Sequence, residues 1–323
     1  MFGELPKLFD RNFAVGFLLP AALLAGGLWL VFAAYGHAPP PTLAAFDELS
    51  TAALAVGGVW LLALLLMAIN YPLLRLLEGY PVRALHHRLR PRWPRLVERL
   101  EARMWRRFDS FGDAREHQEA IEAARAAGEP DPATPDDHAS RMRAFAETLP
   151  AKRQHVLPTR FGNLFRAFEV YSVELYELDA IPAWPRLSSV IPADFRVIIA
   201  DAKAQVDFCA NLVLIGTVLA VAYVVLAFAL WRLPEPWLAA GGLALALGGY
   251  RLALGAAAQF GNCVRTAFDL YRVDLARALG LKLPRSIDAE REMWRTVSRM
   301  MIYRSPVRAA ELGRFRRHDD AGS

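Results

Sequence analysis

Cysteine is scarce in this 323-residue chain, which contains only Cys209 and Cys263. Neither belongs to a C-x-x-C pair, and no spacing of cysteine and histidine matches a zinc site. The sequence therefore argues against a disulfide scaffold and against a structural zinc domain. Because each thiol adjoins a long apolar run, we expect both to be inert and partly buried.

The short motifs that mark common enzyme classes are also missing. The chain contains no GxxxxGK[ST], no G-x-G-x-x-G after a strand, no G-x-S-x-G and no HExxH. His86 and His87 are adjacent, but neighbours on a helix point about 100° apart and make a poor bidentate metal site. We therefore predict no catalytic residue, no metal and no cofactor, and a protein that is not an enzyme.

Charge is nearly absent from four long apolar runs, at 13–34, 51–70, 210–231 and 236–257. Each has roughly 20 residues, which as a helix spans about 30 Å, the thickness of the hydrocarbon core of a bilayer. Because backbone polar groups in lipid must be satisfied internally, we expect helices. The predicted fold class is an all-α membrane protein with four transmembrane helices, arranged as two hairpins with a helical cytoplasmic domain.

Lysine and arginine are distributed unevenly around these runs. Loop 37–50 has none and link 232–235 has one, whereas 71–208 has twenty-one and the chain from 262 onward has thirteen. By the positive-inside rule, both termini and the large middle segment face the cytoplasm, and the two short links face outward. This bias accounts for the net charge of +5, so we expect no nucleic-acid partner.

The spans divide the chain into four predicted parts. These are an N-terminal segment with the first hairpin (1–79), a cytoplasmic helical domain (80–207), the second hairpin (208–258), and cytoplasmic C-terminal helices with a tail (259–323). From Asp194 to Trp231 nothing interrupts the helical pattern, which predicts one helix of about 57 Å. The proline-rich stretch 178–195 is predicted to be a turn-rich connector.

A strongly basic segment, 83–108, follows the second span. It holds nine arginines against two glutamates, with Trp93 and Trp105 among them. Basic residues beside a membrane exit attract anionic lipid headgroups, each adding about 1 kcal/mol near the surface. The alternative is a solvated helix face that binds no lipid and only fixes the membrane topology. The candidate headgroup contacts are Arg88, Arg90, Arg92 and Arg95.

Arg251 is the one full charge inside a predicted span. An ionisable residue within a membrane is by default a functional hypothesis, which here is a place in an ion path. Alternatively, its long side chain reaches the interface or makes a hydrogen bond inside the helix bundle.

The fourth span also carries glycines at heptad spacing. Gly241, Gly248 and Gly255 lie on one helix face, and Gly242 with Gly249 repeats the step. Glycine on a face lets a second helix approach closely in lipid. The partner is either a helix of the same chain or one of a neighbouring subunit, and we expect a homo-oligomer.

Two stretches about a hundred residues apart repeat one pattern, FGNLFRAFEVYSVEL (161–175) and FGNCVRTAFDLYRVDL (260–275). We call them the first and second echo segments. Their apolar positions fall on one helical face, which predicts two similar amphipathic helices that pack together as a cytoplasmic pair; convergent helix patterning is the alternative. The shared candidates are Asn163, Arg166, Phe168 and Tyr171 in the first segment and Asn262, Arg265, Phe268 and Tyr271 in the second.

Capping and ion pairing are predicted within each echo segment. Asn163 and Asn262 are placed to cap their helices. Arg166–Glu169 and Arg265–Asp269 have the i,i+3 and i,i+4 spacing of helical ion pairs. The acids are therefore interpreted as paired rather than catalytic.

Three word patterns carry a resemblance. These are LPTRFGN at 157–163, WPRL at 184–187 and FDLY at 268–271, together with LFDRNFAVGFLLPAALL near the N-terminus. The chain resembles an uncharacterised group of multi-pass bacterial membrane proteins. The resemblance implies the four-span layout and a location in the bacterial inner membrane, and it brings no activity with it.

Three functions stay open at this point. We favour a non-catalytic, oligomeric interaction or sensing platform that faces the cytoplasm and contacts the bilayer. The alternative is an oligomeric ion channel, since two hairpins flanking a helical domain also suit a channel. A membrane enzyme that acts on lipid through acids near the cytoplasmic exit is the third.

Overall fold

A computed structural model describes residues 10–36, 48–304 and 310–316 of the chain. Those residues form helices and connecting loops, and no strand is found among them. Four of the helices are long and apolar enough to cross a membrane. Most of the first predicted outward link, and the last residues of the tail, lie outside the described residues.

The helices occur in the following order along the chain. They are α1 (Arg11–Ala34), α2 (Glu48–Leu77), α3 (Tyr80–Leu89), α4 (Pro94–Asp109), α5 (Gly112–Ala127), α6 (His138–Thr148), α7 (Arg160–Tyr176), α8 (Ala180–Val190), α9 (Ala193–Leu230), α10 (Trp237–Ala278) and α11 (Ile287–Tyr303). Single 3₁₀ turns lie at Arg153–His155 and Leu312–Phe315. The four membrane-length helices are α1, α2, α9 and α10.

The chain divides into two compact units. The first, which we call the span unit, comprises 1–77 and 200–257, and the second unit comprises 78–199 and 258–323. In the span unit, buried Phe13, Phe17 and Ala21 of α1 share a core with residues of α2. Val31 and Tyr223 belong to a second buried cluster.

The structure contradicts one sequence prediction about the segment before α9 and confirms another. The prediction of a turn-rich connector is wrong, because most of 178–195 forms helix α8 with Pro185 inside it. Asp179 caps α8 by accepting from the backbone N–H of Ile181 at 3.0 Å, and Pro182 lies in the first turn, where a missing N–H costs nothing. The predicted long helix over 194–231 is confirmed by α9.

Helix α10 is also longer than the fourth predicted span. It continues without interruption from Trp237 to Ala278, over 42 residues, and carries the whole second echo segment. No helix begins at Asn262, so the predicted cap at that residue is wrong.

Candidate functional site

The first echo segment is held by a cap other than the predicted one. Helix α7 begins at Arg160, and the Thr159 hydroxyl caps it by accepting from the Gly162 N–H at 2.9 Å. Asn163 lies inside the helix and is buried. Its side chain accepts from the Leu157 N–H at 2.7 Å and donates to the Leu157 carbonyl at 3.1 Å. Asn163 therefore ties the preceding loop to α7 and does not cap the helix.

The arginines of the two segments behave differently. The predicted Arg166–Glu169 pair forms at 3.1 Å. Arg265 instead donates to the Asn262 side chain and to the Ala146 carbonyl, each at 3.0 Å. The predicted pair with Asp269 is wrong, because Arg265 has these closer acceptors.

The structure brings the two echo segments into contact where the Phe260-Gly261 step of the second segment meets Phe168 of the first. The Phe168 ring meets the Phe260 ring edge to face, with centroids 5.5 Å apart. A Cβ on Gly261 would lie 2.7 Å from that Phe168 ring, and a Cβ on Gly162 would collide with the Glu78 backbone. Each glycine is thus required for a close approach.

A polar network joins α7, α10 and α11. Asp269 accepts from the Tyr171 hydroxyl at 2.9 Å and from the Tyr176 hydroxyl at 2.8 Å. Burial, then the hydrogen bond to Asp269, raises the pKa of Tyr176 to about 12 and that of Tyr171 further. These phenols stay protonated at neutral pH.

Arg272 extends the network to α11. Its guanidinium stacks over the Tyr176 ring at 4.2 Å and donates to Glu290 at 2.8 Å. The indole of fully buried Trp294 donates to the same carboxylate at 3.2 Å. Each carboxylate of the network therefore accepts hydrogen bonds from two other side chains.

The remaining echo residues pack against their neighbours. Phe268 is fully buried and lies 6.1 Å from the Trp184 ring of α8, and Tyr271 lies 5.7 Å from Phe195. An apolar cavity of about 290 Å³ opens beside Trp184 and the two phenylalanines Phe168 and Phe260.

The basic segment splits into two surfaces. Arg88, Arg92 and Arg95 are exposed. Arg90 lines a cavity of about 270 Å³, and residues more distant in the sequence, Trp105 and Arg153 among them, also line it. We call it the basic cavity; it is lined principally by Arg83, His86, His87, Arg90, Trp105 and Arg153.

Two arginines of the basic cavity have acidic neighbours. Arg90 lies 3.7 Å from Glu101, and Arg153 lies 3.5 Å from Asp109 while its guanidinium stacks over the Trp105 ring at 4.4 Å. The sequence pattern identified Arg90, but Arg153 lies too far along the chain to form a local motif with it.

Helix α4 presents two apolar faces. Val97 and Phe108 are buried in the second unit. On another face, Leu96 is 46% exposed, and Trp93, the residue immediately before the helix, is 60% exposed. Arginines flank this second face at Arg92, Arg95, Arg99 and Arg103. We call Trp93, Leu96 and these arginines the α4 stripe.

Within the span unit, the glycines that admit a neighbouring helix are the second set, Gly242 and Gly249, and not the candidate face of Gly241, Gly248 and Gly255. A Cβ on Gly242 would lie 2.8 Å from the Ala220 nitrogen, and one on Gly249 would lie 2.9 Å from the Leu212 Cβ. Gly241, Gly248 and Gly255 have no atom of the described chain within 4 Å of such a Cβ. Among the described residues, therefore, no helix packs closely on the Gly241, Gly248 and Gly255 face, because α9 lies against the adjacent face of α10.

Arg251 follows Gly248 by three residues and precedes Gly255 by four, so it shares their face. It is exposed, and among the described residues no hydrogen bond or ion pair engages its side chain. The predicted alternative of a hydrogen bond inside the bundle does not occur within the described chain.

A buried polar cluster, which the sequence did not predict, lies elsewhere in the span unit. Asp207 accepts from Asn70 at 3.0 Å and from Lys203. Asn211 is fully buried and donates to the Gly16 carbonyl at 2.8 Å. Gly16 belongs to a π-helical turn, Ala14–Leu18, which is a departure often found at functional sites. The side-chain oxygens of both asparagines are buried without a donor.

Comparisons with protein-family models, with curated proteins and with solved structures found no match. No group of three or more metal-ligating side chains was found among the described residues. The four apolar helices fit a membrane protein.

Proposed function

We propose that this protein is a non-catalytic interaction or sensing platform of the bacterial inner membrane, oligomeric, with both termini on the cytoplasmic side. The observation that carries the proposal is the α4 stripe. Exposed Trp93 and Leu96 lie between arginines, and an apolar face bordered by basic residues is the pattern of a helix that lies in a membrane interface.

The acids of the second unit support the non-catalytic part of the proposal. Asp269 is saturated by two phenols, and Glu290 by Arg272 and Trp294. A general acid or base must reach a proton on its substrate. Carboxylates held in this way are suited to fixing helices against each other.

Site-specific labelling tests the membrane contact. We would place Leu96→Cys in a background with Cys209→Ala and Cys263→Ala, reconstitute the full chain in nanodiscs, and measure labelling by a water-soluble maleimide. We expect labelling to slow at least tenfold when neutral phosphatidylcholine is mixed with phosphatidylglycerol, because the anionic surface draws in the arginines. High salt should reverse the effect.

Glu119→Cys is the matched control, since Glu119 is an exposed side chain on α5. Its labelling should be the same in both lipid compositions. Equal labelling of the Leu96→Cys protein in neutral and anionic nanodiscs would contradict the proposal.

A second candidate, an ion channel, is favoured by the polar cluster around Asp207. Two buried amide oxygens without donors and a buried carboxylate are unusual in a bundle of apolar helices. Flux through proteoliposomes that falls on Asn211→Leu or Arg251→Ala would support a channel. An absence of flux in the wild type would contradict it.

A further inference from the structure

The basic cavity carries more positive charge than its neighbours neutralise. Three guanidinium groups line it, from Arg83 within α3, from Arg90 just after α3 and from Arg153 of the 3₁₀ turn. Glu101 is the only acid in the lining, and Asp109 lies near Arg153 outside it. The side chains of Arg83 and His86 make no hydrogen bond or ion pair among the described residues. His86 is nevertheless buried, with 8% of its surface exposed.

The positive charge around the cavity affects the pKa of a neighbouring histidine. His155 adjoins the cavity residue Gln154. Burial, followed by the charges of Arg166, Lys152 and Arg83, lowers the pKa of the His155 imidazole below its ordinary value. Burial would disfavour a charge of either sign, but the part of this shift that comes from Arg166, Lys152 and Arg83 reflects a positive field, and such a field favours an anion.

Two cations of the cavity have neighbours that orient them. Arg153 lies between the Trp105 ring and Asp109, and Arg90 lies 3.7 Å from Glu101. Guanidinium forks match phosphate oxygens in two-pronged hydrogen bonds. A volume of about 270 Å³ lies below the usual range for drug-sized ligands, which suits a small phosphate-bearing group.

We propose that the basic cavity is a binding site for a phosphate monoester, held by Arg83, Arg90 and Arg153 with His86 as a further donor. A monoester carries close to two negative charges at neutral pH, so it can accept both from Arg83, which has no acidic partner among the described residues, and from Arg90 and Arg153, which keep theirs. The group could be supplied by a soluble phosphate or by the headgroup of a monoester lipid. This inference names the ligand class of the proposed platform and rests on that function.

Thermal unfolding of the full chain in nanodiscs separates the two sources. In neutral phosphatidylcholine discs, the probe is inorganic phosphate at millimolar concentration, compared with chloride at equal ionic strength. In the other arm, the discs contain phosphatidic acid, a monoester, or phosphatidylglycerol, a diester of the same sign. We expect the melting temperature to rise with inorganic phosphate, with phosphatidic acid, or with both, and to rise less with phosphatidylglycerol.

The variants Arg83→Gln and Arg153→Gln remove a cavity charge while keeping a polar side chain. For each variant, the phosphate concentration that gives the wild-type rise in melting temperature should be at least tenfold higher. The exposed Arg143→Gln, which lies outside the cavity lining, should respond as the wild type does. If Arg143→Gln weakens the response as much as Arg83→Gln does, the effect is a general charge effect and the site is overturned.

The outcome is distinguishable from failure of the platform itself. If neither phosphate nor phosphatidic acid shifts the melting temperature while the Leu96→Cys thiol is still protected in anionic discs, the cavity is not a phosphate site and the platform stands. If that protection is absent but phosphate still shifts the melting temperature, the cavity binds its ligand independently of the membrane surface.

Discussion

At the scale of single residues, the two echo asparagines have the same sequence context and opposite environments. Asn163 is buried and makes two hydrogen bonds to Leu157. Asn262 is exposed and accepts from Arg265. The repeated FGN sequence is therefore helical in both segments, but its asparagine makes different contacts in each.

We expect Asn163→Ala to be destabilising. It leaves the backbone N–H and carbonyl of Leu157 buried without partners, and an unsatisfied buried group costs about 1–3 kcal/mol. The midpoint of thermal unfolding in detergent should fall by several degrees. Asn262→Ala serves as the control and should change the midpoint little. Equal effects would show that the Leu157 contacts contribute no specific stability.

Glu177 introduces a pH dependence in the second unit. Burial by itself would raise the pKa of its carboxyl, but hydrogen bonds and charge from Arg295 and Arg291 outweigh burial and hold the pKa below its ordinary value. A carboxyl with a depressed folded pKa contributes stability above its unfolded pKa of about 4.3. That contribution is lost as the pH falls through the folded pKa.

Glu177→Gln should therefore be less stable than the wild type at pH 7, and the difference should shrink below about pH 4. Melting temperatures of both proteins across the range from acidic to neutral pH measure this convergence. A difference that stays constant across the range would mean that the charge of Glu177 does not act through Arg291 and Arg295.

At the scale of elements, glycine decides which face of α10 meets α9. A Cβ on Gly216 of α9 would collide with the backbone of Ala246 and with the Gly242 carbonyl. We expect Gly216→Ala to destabilise the span unit by about 1–3 kcal/mol through overpacking. The folded fraction after heating, followed by fluorescence-detected gel filtration, gives the readout.

Gly57→Ala on α2 is the matched control for that experiment. No atom of the described residues lies within 4 Å of a Cβ at this position, and alanine has the higher helix propensity, so stability should be unchanged or slightly increased. A loss equal to that of Gly216→Ala would show that the Gly216 effect does not come from overpacking against α10.

The spans and the long helix α9 could be predicted from sequence because length and apolar composition are local properties. The choice between glycine faces could not be predicted, since both stripes of α10 have the same heptad spacing and the decision rests on Leu212 and Gly216 of another helix. Helix α8 was not predicted because its prolines were interpreted as helix breakers, although a proline in the first turn of a helix is tolerated. The basic cavity was missed for a similar reason, since Arg153 joins Arg83 only in the fold.

At the scale of the whole molecule, the open face of α10 supports oligomerisation. Gly241, Gly248 and Gly255 leave room for another helix, and Arg251 is exposed on the same face without a side-chain partner among the described residues. A charge exposed to lipid is costly. A second copy of the chain seated on this face would supply close backbone packing and carbonyl oxygens for the guanidinium.

We therefore expect Gly248→Leu to break the oligomer. The added side chain would keep the second copy away while leaving the span unit intact, because nothing in the described chain lies near that position. Mass photometry in nanodiscs should record mainly oligomers for the wild type and at least a tenfold shift toward monomers for the variant. Leu247→Ala, at an exposed position on a neighbouring face, is the control and should assemble normally. A wild-type protein that is monomeric at every concentration would reject this interface, and Arg251 would then be left to reach the headgroups along its own side chain.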